Sequence, residues 1–133
     1  MIALDTNLLV RIVTRDDPRQ AQRAAALMRT NFLWIAKTVL LEMEWVLRYT
    51  YEFSPAQVDR ALRSTVSLQN ATVEDPEAVL RAIEWRSAGI DFADALHLAS
   101  AHGARRFVTF DKALVKRAAR LRTRPAAEIV SLK

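Results

Sequence analysis

The chain contains no cysteine, which excludes disulfides and every thiolate-ligated metal site. Glycine and proline are scarce, two and four in 133 residues, so a loop-dominated or low-complexity chain is excluded and a helix-rich globule fits. No apolar run reaches the roughly 20 residues that a membrane-spanning helix needs. The amino terminus shows no basic stretch followed by an apolar core and a small-residue cleavage site. These absences give the expectation of a soluble, cytoplasmic protein with no membrane partner. What the chain does have is length for a single domain over 1–133, 51% hydrophobic residues and a net charge of +5 with a pI near 10.2. Such a balance favours a polyanionic partner, nucleic acid above all.

Punctuation along the chain separates strands from helices. Met1 to Leu4 and "NFLWIA" read as short strands, Ala71 to Val73 as a weak one, "RFVTF" as a buried one and "AEIVSL" as the last. Between them lie helical segments. The first starts after Thr6. "DDPRQAQRAAALMR" has Asp17 as cap, Pro18 at the first helical position and Gln20 completing a capping-box pattern. "TVLLEMEWVLRYTYE" takes Thr38 as its cap, "SPAQVDRALRSTVSL" uses Ser54 with Gln57, and "DPEAVLRAIEWRSAG" begins at Asp75 and stops near Gly89. "DFADALHLASAHG" ends at Gly103, and "DKALVKRAARL" is a basic helix. Strands alternating with helices require crossover connections and a parallel sheet, so the fold class is α/β with more helix than strand.

Most of the fifteen Asp and Glu residues have an ordinary place as caps or solvated charges. Glu44, four residues before Arg48, reads as a solvated helix pair. Four others stand out. Asp5 and Asp111 each follow the carboxyl end of a parallel strand, where open α/β sheets collect ligands. Each also sits where a helix cap is wanted. Glu42 shares a helical face with Thr38, Val39, Trp45, Val46 and Tyr49, taken as the buried stripe, while Glu44 points about 200° away. Asp94 interrupts the apolar "DFADALHLA", with Asp91 one turn earlier as a cap. Carboxylates near one apolar crevice repel each other, and their own segments carry no Lys or Arg. Oxygen donors without cysteine or clustered histidine point to Mg²⁺ or Mn²⁺ rather than Zn²⁺. His97 and His102 read as a helix histidine and a partner of the helix C-terminal dipole.

These residues in this order resemble the PIN domain, and within it the VapC-type toxins of bacterial toxin–antitoxin pairs. "LDTNLLVRIVTRDDP" resembles the opening strand and helix of that family, "TVLLEMEWVL" its second motif, "DFADALHLASA" its third and "RFVTFDKAL" its fourth. The resemblance implies a three-layer α/β/α fold around a short central parallel sheet of four to five strands. It also implies a Mg²⁺- or Mn²⁺-dependent endoribonuclease in which Asp5, Glu42, Asp94 and Asp111 hold the metal and carry catalysis. Thr6, Asn7, Asp91 and Thr109 support them, orienting carboxylates or water. The RNA substrate would lie against the basic segment after Asp111, with Lys112, Lys116 and Arg117 as phosphate contacts.

The resemblance supplies two protein partners as well: a homodimer mate and a cognate antitoxin. Trp45, Tyr49 and Tyr51 offer apolar helix surface for the latter. The alternative reading is a PIN-like RNA-binding or RNA-processing module without a toxin role. A phospho-acceptor enzyme built on Asp5 would want a second Asp two residues on, where Asn7 stands.

Overall fold

The computed structural model describes residues 1–131; Leu132, the end of the expected "AEIVSL" strand, lies outside them. Seven helices and five strands alternate among the described residues, and all strand pairing is parallel. The α/β class is therefore correct. The strands form two small sheets, β1-β2-β3 and β4-β5. Contacts group the chain into two compact units, Met1–Pro76 and Glu77–Lys133. Among the described residues, no helix is long and apolar enough to cross a membrane.

In the first unit, β1 (Ile2–Ala3), β2 (Leu33–Ile35) and β3 (Ala71–Val73) pair in register, Ile2 with Leu33 and Leu33 with Ala71. Two helices fill each crossover: α1 (Thr6–Thr14) and α2 (Pro18–Arg29), then α3 (Lys37–Tyr49) and α4 (Pro55–Val66). Leu33 and Ile35 are both 0% exposed, and Asn70 ties the start of β3 to the end of α2 by donating to the carbonyls of Met28 and Asn31 at 2.6 and 2.8 Å. Leu33→Ala is expected to cost about 2–5 kcal/mol, because a fully enclosed site refills poorly; a denaturant midpoint shift measures it.

The caps follow their residues closely, with two exceptions. Asp17 accepts from the Gln20 N–H, and Ser54 and Gln57 form the full reciprocal box. Gln20 itself does not complete a box: its side-chain oxygen accepts from Arg11 Nε at 2.7 Å. Thr38 does not cap α3, which starts one residue earlier, after Ala36. The partner of that first turn comes instead from the residue after β3, since the Glu74 carboxylate accepts from the Lys37 N–H at 2.9 Å.

The second unit holds α5 (Pro76–Ser87, its first residue excepted), α6 (Phe92–Ser100), β4 (Arg106–Thr109), α7 (Lys112–Leu121) and β5 (Ala126–Ile129). Gly89, at φ +106, makes the left-handed turn after α5 that side chains resist. Ile83, Phe92 and Leu98 lie in the core. Strand β4 is not buried as its composition suggested: Val108 is 49% exposed and Phe110, just past it, 72%. A β-branched and aromatic run marks a strand without saying how many of its faces are covered.

Candidate functional site

Two of the expected site carboxylates belong to the first unit. Asp5 follows β1 and caps α1, its Oδ1 accepting from the Thr6 N–H at 2.8 Å. The capping and ligand readings of Asp5 are thus compatible, because Oδ2 makes no bond among the described residues and the side chain is exposed. Beneath it Thr6 is buried, and its hydroxyl has no hydrogen-bond partner among the described residues. Asn7 is exposed on the first turn of α1.

Helix α3 corrects the sequence reading of its own orientation. Its buried stripe is Leu40, Met43, Glu44 and Leu47. Glu42 faces solvent, and Glu44 is only 2% exposed. Apolar residues surround this helix, so composition left its rotation open, and a carboxylate within the true stripe disguised it. Glu44 is tolerated there because Arg48, one turn on, reaches back to 3.1 Å. Trp45 and Tyr49 are consequently exposed, 54% and 59%, with ring centroids 5.4 Å apart and the Arg48 guanidinium 4.5 Å above the Tyr49 ring. Tyr51 differs from them: its hydroxyl donates to Asp16 and accepts from Arg11.

The second unit contributes Asp91, Asp94 and Asp111. Asp91 caps α6, accepting from the N–H groups of Ala93 and Asp94 at 3.1 and 3.4 Å. Asp111 follows β4 and caps α7, accepting from the Leu114 N–H at 3.0 Å, while Thr109 Oγ1 accepts from the Asp111 N–H at 3.0 Å. Asp5 and Asp111 therefore occupy equivalent positions, strand end and helix start. Asp94 lies in the first turn of α6. Partial burial, followed by the charges of Asp91 and Asp111, pushes its carboxyl above the ordinary 3.8, against a smaller opposing pull from His97. The charges of two carboxylates of this unit thus act on a third, with no Lys or Arg among the causes.

That shift has a definite consequence for stability. The folded protein holds the Asp94 proton more tightly than the unfolded chain, so the associated stability is present at acid pH and lost as pH rises through the raised value. Asp94→Asn is expected to stabilise the protein at neutral pH in chelator by less than about 1 kcal/mol after solvent screening, read as a small rise in melting temperature. The gap should close below the ordinary value of 3.8; a variant that melts lower throughout would show the carboxylate to be stabilising.

A family model of the PIN domain matches residues 2–121. The chain belongs to the PIN domain family. Members of the PIN family are in general nucleases, hydrolases acting on nucleic acid, and in general use divalent metals. No curated protein matches the sequence. The PIN match spans all four acidic motifs, from Asp5 to Asp111.

The donor set suits a hard divalent cation: oxygen only, anionic and mutually repelling around Asp94. Among the described residues, no three His, Asp or Glu side chains form a ready-made metal cage. Magnesium needs none, since it usually keeps several waters and takes one or two carboxylates together with substrate phosphates.

Of the basic residues after Asp111, Lys112 and Lys116 are exposed, whereas Arg117 donates to the Gly89 carbonyl at 3.0 Å. His97 is exposed near the end of α6. One contributor escaped the sequence reading, Glu74 as the partner of α3. It carries no local signal, because it acts on a residue far away in the chain.

Proposed function

We propose that this PIN domain, acting as one nuclease over residues 1–133, is a Mg²⁺- or Mn²⁺-dependent endoribonuclease of the VapC toxin type. The observation that carries the reading is the match to the PIN family across every acidic motif, supported by the strand-end, helix-start placement of Asp5 and Asp111 and by the charges of Asp91 and Asp111 acting on Asp94. Asp5, Glu42, Asp94 and Asp111 are the residues assigned to hold one or two ions. Bound there, a divalent cation supplies an activated water and stabilises charge developing on the scissile phosphate.

The chain's own groups prepare that chemistry. The Thr6 N–H fixes one oxygen of Asp5 and the Leu114 N–H one oxygen of Asp111, which leaves the second oxygen of each without a hydrogen bond among the described residues. Asp91 is held at the head of α6, within reach of Asp94. Thr109 holds the backbone of Asp111, and Thr6 and Asn7 support Asp5. Lys112 and Lys116 offer positive charge to the RNA backbone, with Arg117 contributing from its anchored position.

The exposed Trp45 and Tyr49 pair supports a protein partner on α3, assigned to the cognate antitoxin. A homodimer completes the assembly. The deciding experiment is incubation of the purified protein with total RNA in Mg²⁺, Mn²⁺ or EDTA. Internal cleavage that needs the metal is expected; cleavage unaffected by EDTA, or none under any condition, would overturn the assignment. Growth arrest on expression, relieved by a protein encoded beside it, separates a toxin from an RNA-processing module.

A further inference from the structure

We propose that the second unit carries a phosphate-binding cavity separate from its acidic residues. Arg81, Arg105, Arg122 and Arg124 wall a cavity of about 780 Å³, with Trp85 among its apolar lining. Among the described residues, no carboxylate lines it. None of the four guanidinium groups makes a hydrogen bond or ion pair among the described residues.

Four cations facing one space repel each other, and an anion is the group that relieves them. Part of the arrangement has a simpler explanation, since Arg122 is the C-cap of α7 and cations are favoured at helix C-termini. That does not account for Arg81, in the middle of α5, one turn from Trp85 on the same face. It does not account for Arg105 or Arg124 either, which stand in the segments leading into β4 and β5. Arg122 also holds a left-handed backbone, φ 52, which side chains resist.

Guanidinium groups bind phosphate oxygens in pairs, and several around one cavity suit a phosphorylated ligand better than a carboxylate. The volume lies within the range of small-molecule sites, so it admits a nucleotide or a short piece of single strand rather than a duplex. The cavity sits before β4 and β5, whereas Asp111 follows β4; the ten residues of α7 lie between Asp111 and Arg122, about 15 Å of helix. Arg122 and Arg124 also fall beyond residue 121, where the match to the PIN family ends. The ligand held here is either a strand phosphate remote from Asp111 or a free nucleotide.

The test is equilibrium binding by the full chain in EDTA, so that its result does not depend on cleavage. The probes are a fluorescent single-stranded RNA of about 12 nucleotides and, separately, adenosine diphosphate. Arg105→Gln/Arg124→Gln removes two cations from exposed connecting segments. Affinity for RNA at low salt is expected to fall at least tenfold, with the log–log salt slope shallower by about 1.4 for two lost single-strand contacts. Arg105→Lys/Arg124→Lys should keep most of that slope, and Arg29→Gln/Arg60→Gln, with the same change in net charge, should lose far less.

Weakened binding of RNA alone supports a strand phosphate; weakened binding of both probes supports a site for the phosphate group itself. Unchanged binding of both, or an equal loss in the Arg29/Arg60 variant, would overturn the proposal. Matching melting temperatures establish that the variants are folded, and Arg105→Gln alone, expected to lose about half the slope change, serves should the double variant melt early.

Discussion

Asp5→Asn and Asp111→Asn are expected to stay folded and to lose RNA cleavage by at least about 10²-fold. Asparagine caps a helix about as well as aspartate, so the bonds to the Thr6 and Leu114 N–H groups can persist. What the substitution removes is charge. If the ion contributes several kcal/mol of transition-state stabilisation, each 1.36 kcal/mol lost is tenfold in rate. Initial rates on a labelled RNA, with melting curves for each variant, make the comparison. Cleavage at wild-type rates by Asp5→Asn would leave that residue as a cap and nothing more. Asp5→Ala is a poorer choice, because it adds a capping loss of about 1 kcal/mol to any effect on chemistry.

The second large effect separates the two glutamates of α3. Arg48→Ala takes the guanidinium away from the buried Glu44 carboxylate. Breaking a buried pair from one side costs about 3 kcal/mol or more, and the Tyr49 ring loses the cation above it as well. A shift of the urea midpoint at neutral pH, with an unchanged slope, is the expected result. Glu42→Gln should do the reverse. The side chain is exposed, so stability should move by no more than about 0.5 kcal/mol, while cleavage falls with the other ligand variants. Stability lost through Glu42 and kept without Arg48 would contradict the orientation of the helix.

That orientation marks the boundary of what the residues reveal on their own. Asp5 and Asp111 were legible because a strand followed by a cap is a local pattern, and Asp91 because a cap after a glycine turn is another; the structure places each at its helix start. The parallel pairing was legible because helices separate the strands. The face of α3 was not. With apolar residues all round, its rotation is set by what packs against it, and Glu44 in the core reads as solvated until Arg48 is seen to answer it. The Thr38 cap failed for a related reason: the bond that starts α3 comes from Glu74, 37 residues later. The arginine cavity likewise joins Arg81 to residues more than twenty positions on, a proximity that no spacing encodes.

The bond from Glu74 to α3 also sets an order of events during synthesis. The first turn of the helix that carries Glu42 gains its partner only after the chain has been made through residue 74. Lys37 meets Asp75 in the same step, at 3.3 Å. A nascent chain halted before that point holds Asp5 and Glu42 but lacks the clamp at the head of α3. The head of α3 is thus completed only once the residues just past β3 have been made.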